Sequence, residues 1–171
     1  AMTSLDLNCD IGESYGKFSS AYDEKILPYI SSCNIAAGFH SGDPHMIDRT
    51  IELALEHEVA VGAHPSYPDL QGFGRRIMYL SDEEIKAMIR YQVSAIKGMT
   101  EAHGAALHHV KPHGALYNHA SADQRVAEAV MSAWIDWIEE IPVYAPFGSE
   151  LAKAAAQRGI DVIHEAFADR C

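Results

Sequence analysis

The sequence predicts an α/β protein in which parallel strands form a barrel with helices outside it. Six short apolar runs alternate with helical patterns, and short links between them favour a parallel sheet. Five of the six predicted strands are followed by glycine, histidine or carboxylate residues, whereas the helix-to-strand links are plain. This one-sided pattern is typical of a barrel with its site at the carboxyl ends of the strands. An open Rossmann-like sheet is the alternative, but no Gly-x-Gly-x-x-Gly motif follows the first strand.

Length and composition restrict the classes of function. The 171 residues fit one domain, so we expect a single domain over residues 1–171. A net charge of −11 argues against nucleic acid or an anionic membrane as a partner, because both require a basic surface. No stretch approaches the ~18 apolar residues of a membrane span, and no signal-peptide pattern is present. We therefore expect a cytoplasmic protein.

The first predicted strand, residues 4–8, has an unusual polar face. Its alternation places Asp6, Asn8 and Asp10 on one side and apolar residues on the other. A buried parallel strand is normally apolar on both faces. The polar face is therefore either the wet side of an edge strand or the lining of a polar cavity. A further carboxylate in the glycine-containing turn that follows favours the cavity.

The second strand is predicted at residues 32–37, after a short helix over residues 23–30. It leads into a loop that places His40, Asp43 and His45 close together. Asp43 followed by proline is typical of a helix N-cap, so Asp43 is either a cap of the helix over residues 44–57 or a site contact, or both. His45 lies inside that helix, and we expect it to be a surface or packing residue.

The later elements repeat the pattern. The third strand leads into His64, and Ser81 with Glu84 forms a capping box for a long helix ending near Gly104. The fourth strand is followed by Lys111 and His113, which share a face, and a lysine at a buried strand end requires an anion. The predicted ranges are 59–63, 106–110, 143–145 and 161–166 for strands and 82–103, 122–138 and 149–158 for helices.

A polar set follows the strands and could serve two chemistries. One is a divalent metal held by histidine and carboxylate that activates water, and the other is metal-free acid–base catalysis on an amide or phosphorylated carbonyl. A cysteine nucleophile is disfavoured, because Cys9 faces the helices by alternation. No phosphate-binding loop for a nucleotide is present. The set comprises Asp6, Asn8, Asp10, Glu13, His40, Asp43, His64, Lys111, His113, Glu165, Asp169 and Arg170.

Several segments resemble one family, the LamB/YcsF-like proteins, to which the A subunit of bacterial 5-oxoprolinase belongs. The resemblance extends over the whole chain. The segments are DLNCDIGE at residues 6–13, NIAAGFHSGDP at 34–44, GAHPSYPD at 62–69, GFGRR at 72–76, VKPHGALY at 110–117 and EAFADR at 165–170.

The resemblance implies a fold, an activity and partners. The implied fold is an irregular parallel (β/α) TIM-like barrel similar to that of polysaccharide deacetylases. Because the family continues after the last segment, we expect this chain to lack the final strand or strands and to be truncated at its C-terminus. The implied activity is ATP-dependent hydrolysis of 5-oxo-L-proline (pyroglutamate) to L-glutamate with partner subunits B and C, which can handle ATP. Ala37 stands where many relatives have cysteine, so no mechanism here needs a thiol at that position.

We assign hypothetical roles on this basis. Asp10 or Glu165 is the expected general base, and Lys111 and Arg170 are expected to hold a carboxylate or phosphate. The alternatives are a stand-alone metal-dependent amidase or deacetylase and a non-catalytic substrate-binding subunit. The expected catalytic residues are Asp10, His40, His64, Lys111, His113 and Glu165. The expected substrate-binding residues are Asn8, Glu13, Asp43, Arg75, Asp169 and Arg170. If a divalent metal binds, His40, His64 and Asp10 are its expected ligands.

Overall fold

The computed structural model describes residues 5–13, 23–136 and 141–167. Its strands are β1 (Asn8–Ile11), β2 (Ser32–Ala36), β3 (Ala60–His64), β4 (His109–Val110), β5 (Val143–Pro146) and β6 (Val162–Glu165). Its helices are α1 (Asp23–Ile26), α2 (Pro44–Glu56), α3 (Asp82–Ala102), α4 (Gly114–Ala122), α5 (Gln124–Met131) and α6 (Glu150–Gln157). Within this part of the chain, no helix has the length and apolar character needed to cross a bilayer.

The six strands form one parallel sheet in the order β1-β2-β3-β4-β5-β6. The sheet curls into a half-barrel, because residues near β1 and β2 contact residues from β5 onward. Tyr144 on β5 donates its hydroxyl to Asp6, and the same oxygen lies 3.3 Å from Ser32 Oγ on β2. The predicted α/β barrel class is therefore confirmed.

The two faces of the sheet differ in polarity. Cys33, Ile35 and Val61 point outward into the apolar layer beneath the helices, where Ile51 and Ile89 are fully buried. The concave face instead carries the polar residues that alternate with them in the strands. The face that contains Asn8 and Asp10 therefore lines a polar interior, as the cavity interpretation predicted. Burying such groups is tolerated when they are hydrogen-bonded, and no buried side-chain nitrogen or oxygen among the described residues lacks a partner.

Helix ends follow the predicted signals. Asp43 Oδ1 accepts a hydrogen bond from Met46 N at 3.0 Å, with Pro44 in the first turn of α2. Ser81 and Glu84 form the reciprocal capping box at the start of α3. Gly104, with φ of 82°, follows its end in the left-handed conformation that glycine adopts without strain.

Two predicted strands have different bounds in the structure. The first strand covers Asn8–Ile11 rather than residues 4–8, because the described residues 5–7 lie before it and its ladder with β2 continues to Ile11. Leu5 and Leu7 are accordingly 80% and 51% exposed. The fourth strand is only His109–Val110, although backbone hydrogen bonds to β3 continue on either side of it.

The predicted helix over residues 122–138 was wrong in its start and continuity. The chain forms α4 (Gly114–Ala122), then α5 (Gln124–Met131), then a 3₁₀ turn over Ser132–Asp136. Asp123 separates the helices because its side chain caps α5 by accepting from Val126 N at 3.1 Å. The sequence did not predict α4, because its glycine, asparagine and histidine residues have low helix propensity. Trp134 is fully buried and donates to Ile141 O, which confirms a packing role, whereas Trp137 lies outside the described residues.

Candidate functional site

The polar residues predicted at the strand ends converge at one mouth of the half-barrel. Asp10 lies in β1, His64 ends β3 and Glu165 ends β6. His40 follows β2 in the loop before α2, and Lys111 and His113 connect β4 to α4. Because parallel strands present their carboxyl ends at the same edge, residues far apart in the sequence lie within hydrogen-bonding distance.

Three histidines and one carboxylate form the centre of the site. Glu13 Oε1 lies 2.9 Å from His40 Nε2, 3.4 Å from His113 Nδ1 and 3.8 Å from His64 Nε2. His64 Nε2 and His113 Nδ1 are 3.0 Å apart, and the rings of His40 and His113 stack at 3.6 Å. All four ligand atoms lie within 4.8 Å of one another, a grouping that could hold a metal ion. We call this set the histidine cluster.

Each ring of the histidine cluster is held by a second hydrogen bond on its outer side. His64 Nδ1 lies 2.6 Å from the carbonyl oxygen of Lys111, and His113 Nε2 lies 2.8 Å from that of Phe73. His40 Nδ1 lies 3.0 Å from Ser66 Oγ. These contacts fix the orientation of all three imidazoles relative to the sheet.

The loop over residues 69–76 supplies one of these contacts and covers the cluster. Asp69 organises the loop by accepting from Gly72 N at 2.8 Å and by pairing with Arg76. The bonds from Arg76 and Gly72 lower the pKa of Asp69 to about 2. Gly74 has φ of 67°, and a Cβ there would lie 2.8 Å from the His113 ring and 2.9 Å from His40 Cβ. Glycine is therefore required for the loop to approach the histidines closely.

A buried ion pair lies beside the histidine cluster. Lys111 Nζ is 2.6 Å from Glu165 Oε1, and their side chains are only 8% and 10% exposed. Tyr117 donates its hydroxyl to the other Glu165 oxygen at 2.9 Å. Lys111 also lies 3.7 Å from Asp10 Oδ1 and 3.4 Å from Asn8 Oδ1. The prediction that Lys111 requires an anion is confirmed by these contacts.

A cavity of about 370 Å³ opens between the histidine cluster and the ion pair. Its lining includes Asp10, His64, Arg75, Lys111 and His113. The volume suits a small ligand. Cations, carboxylates and imidazoles around one small space could bind an anionic substrate and transfer protons to or from it.

The carboxylates of Asp10 and Glu13, which both lie beside the three histidines, differ in basicity. Burial opposes ionisation of Asp10, but His64, Lys111 and the Asn34 amide together outweigh it, so the pKa of Asp10 lies below its ordinary value. Burial raises the pKa of Glu13, and nearby Asp10 raises it further. Asp10 is therefore ionised at neutral pH, whereas Glu13 is the stronger base of the two.

Two of the clustered histidines are disfavoured as cations. Burial lowers the pKa of His40 to about 3, and the neighbouring His64 contributes to the decrease. Burial, together with His64 and His40, lowers the pKa of His113 to about 4. At neutral pH the rings of His40 and His113 are therefore neutral and keep one lone pair each.

The other sequence-predicted residues have varied positions. Asn8 lies on the polar face below the cavity and donates to Ser32 Oγ at 2.9 Å. Arg75 lines the cavity, with its guanidinium 5.7 Å from the centre of the Phe73 ring. Asp43 is the helix cap described above, and His45 is exposed, as expected. The predictions for Asp169 and Arg170 lie outside the described residues.

Sequence reasoning missed several residues in and around the site. His109 is fully buried and bonds Asn34 Oδ1 at 2.6 Å, and the alternation that paired Lys111 with His113 also points to it. Burial lowers the pKa of His109 to about 3. Tyr117 lies in a family segment but was not predicted as a site residue. The roles of Ser66 and the Phe73 carbonyl had no sequence signal, because they depend on how the loops fold.

Known proteins match this chain over nearly all of its residues. The LamB/YcsF family model matches residues 5–171. The A subunit of 5-oxoprolinase from Shouchella clausii is 50% identical over 169 residues, covering 99% of this chain and 67% of the relative. The protein of the same name from Symbiobacterium thermophilum is 52% identical over 166 residues, covering 97% and 64%. The lactam utilization protein from Thermus thermophilus superimposes with a TM-score of 0.94 at 46% identity, covering 98% of this chain and 68% of that one. The chain thus spans about two thirds of the length of these relatives.

Proposed function

The chain belongs to the LamB/YcsF family, and from that premise we propose that it is the subunit of a 5-oxoprolinase that opens the lactam ring of 5-oxo-L-proline to give L-glutamate. The observation that carries the proposal is the cavity in which ionised Asp10 faces a lysine and two imidazoles. Lactam hydrolysis requires a proton acceptor for water, a proton for the departing nitrogen and a site for the substrate carboxylate. The cavity offers groups for each of these tasks.

Asp10 is the proposed proton acceptor. Its side chain is 38% exposed, whereas that of Glu165 is 10% exposed and engaged by both Lys111 and Tyr117. Asp10 can therefore reach a water molecule in the cavity, and Glu165 cannot do so without breaking its ion pair. Glu165 is better suited to hold Lys111 in place. We therefore propose Asp10, rather than Glu165, as the base.

Lys111 and Arg75 are the proposed anion-binding groups among the described residues. Both line the cavity, and an anionic substrate there would gain from their charge. Arg170, the other predicted anion-binding residue, stays a prediction. His64 and His113 also line the cavity, with His64 Nε2 and His113 Nδ1 facing each other 3.0 Å apart at its edge.

The proposed reaction consumes ATP because the lactam amide is stabilised by resonance. Phosphorylation of the lactam oxygen makes the ring carbon electrophilic. Water then adds to that carbon as Asp10 accepts its proton, and the ring C–N bond breaks as the nitrogen takes up that proton, which leaves γ-glutamyl phosphate. A second water molecule hydrolyses this acyl phosphate to L-glutamate and inorganic phosphate. We propose that partner subunits B and C handle ATP and that the reaction takes place in the cytoplasm, where ATP is available.

The test is release of glutamate from 5-oxo-L-proline by the complete polypeptide. The assay compares mixtures with and without ATP and with and without subunits B and C. We expect glutamate only when all components are present. Release that needs neither ATP nor partners would instead support a stand-alone amidase or deacetylase. Saturable binding of 5-oxo-L-proline with no turnover in the full mixture would support a non-catalytic binding subunit.

A further inference from the structure

The histidine cluster contains more inward-facing lone pairs than its own protons can bridge. The carbonyl oxygens of Lys111 and Phe73 can only accept hydrogen bonds. His64 Nδ1 and His113 Nε2 must therefore carry the ring protons. The remaining nitrogens, His64 Nε2 and His113 Nδ1, then face each other 3.0 Å apart as two lone pairs.

The same reasoning fixes the third ring. Ser66 Oγ donates its proton to the carbonyl oxygen of Tyr67 at 2.9 Å, so it must accept from His40 Nδ1. His40 Nε2 is then unprotonated and lies 2.9 Å from Glu13 Oε1, which is also an acceptor. Three imidazole lone pairs and one carboxylate oxygen thus converge on one point. Such an arrangement is repulsive unless added protons or a metal cation lie between the four atoms.

We infer that Glu13, His40, His64 and His113 bind a divalent first-row transition-metal ion, with Zn²⁺ the first choice. Ligands at 2.0–2.2 Å around a tetrahedral zinc ion are separated by about 3.4 Å. Four of the six separations are 2.9, 3.0, 3.4 and 3.8 Å, which bracket that value, and all six are within 4.8 Å. Imidazole nitrogens with one carboxylate suit zinc, and outer hydrogen bonds to each ring are typical of metal-binding histidines.

The site would leave one side accessible to the cavity. The side chains of His40, His64 and His113 are 0%, 2% and 6% exposed, but Glu13 is 23% exposed. Asp10, a ligand expected from the sequence, instead lines the cavity on that side, with Oδ1 3.4 Å from His64 Nε2. Because four protein ligands complete a tetrahedral shell, the ion could activate water only by expanding to five-coordinate on this open side. This catalytic role rests on the proposed function, whereas ion binding is measured without turnover.

The experiment titrates chelator-treated protein with Zn²⁺ by calorimetry and with Co²⁺ by visible absorption. We expect one ion per chain and the strong visible bands of four-coordinate cobalt. Glu13→Gln and His113→Gln should each weaken binding at least about 100-fold. His109→Gln is the matched control, because His109 is equally buried on the same segment but bonds Asn34 outside the cluster. It should bind the ion as the wild type does.

Circular dichroism and urea unfolding confirm that each variant is folded. If His113→Gln fails to fold, Glu13→Gln alone tests the inference, because it replaces one atom of a partly exposed side chain. Stoichiometric binding that both cluster variants retain would overturn the inference, as would a wild-type protein that binds neither ion. Metal binding without ring opening would refute the proposed function alone, and ring opening in metal-free protein would refute the metal's role alone.

Discussion

The buried Lys111–Glu165 pair gives the sharpest energetic prediction. At 2.6 Å and an effective dielectric constant of ~20, the Coulomb attraction is about 6 kcal/mol before desolvation is subtracted. Lys111→Met leaves two carboxylates, Glu165 and Asp10, without their shared cation. We expect a loss of about 3–5 kcal/mol in the free energy of unfolding. Glu165→Gln should cost less, because Lys111 keeps Asp10 at 3.7 Å.

The measurement is a double-mutant cycle by urea unfolding at pH 7. The double variant should be less destabilised than the sum of the single variants, with a coupling energy of about 2–3 kcal/mol. The exposed pair Glu150–Lys153, 2.8 Å apart, is the control and should couple by no more than about 0.5 kcal/mol. Equal coupling in the two cycles would refute the claim that the cavity pair is desolvated.

Three further predictions address the rest of the site and the fold. His109→Gln should flatten the loss of stability below pH 6.5 by up to about 1.4 kcal/mol per pH unit. The reason is that burial lowers the pKa of His109 to about 3, so only the unfolded state binds the proton between pH 6.5 and 3. Urea unfolding at pH 7 and pH 5 checks this. An equal loss of unfolding free energy in the variant and the wild type between these pH values would contradict it. Gly74→Ala should destabilise the protein by about 2–4 kcal/mol, since a Cβ would collide with His113. Gly104→Ala, with similar φ and nothing within 4 Å, should cost only about 1–2 kcal/mol, and equal midpoints would exclude the collision. Ser81→Ala should cost about 1 kcal/mol by removing the cap of α3, and an unchanged midpoint would show that the capping box is not stabilising.

Local patterns predicted much of the fold. The alternation of Asp6, Asn8 and Asp10 identified a polar interior, because side chains in a strand alternate strictly between its faces. Capping signals at Asp43 and Ser81 located two helix starts. The start of β1 could not be read from β1 alone, since a ladder extends only as far as its neighbour does.

The sequence predicted which residues form the site but not how their side chains contact one another. His40, His64 and His113 each follow a strand, so their convergence follows from parallel topology. Glu13 was expected to bind substrate, and its contact with all three rings depends on the turn after β1. The carbonyl of Phe73 determines which His113 nitrogen is protonated, and no side-chain pattern encodes a backbone carbonyl supplied by a loop.

The central claim is that Asp10 in this cavity accepts the proton of the water that opens the lactam. The most direct measurement is ATP-dependent glutamate release by the complete polypeptide with subunits B and C, comparing wild type with Asp10→Asn. Asp48→Asn is the matched control, because Asp48 pairs with His103 on the surface. We expect Asp10→Asn to lower turnover about 10²–10⁴-fold with an unchanged fold, and Asp48→Asn to leave turnover unaffected. Wild-type turnover in Asp10→Asn would contradict the account.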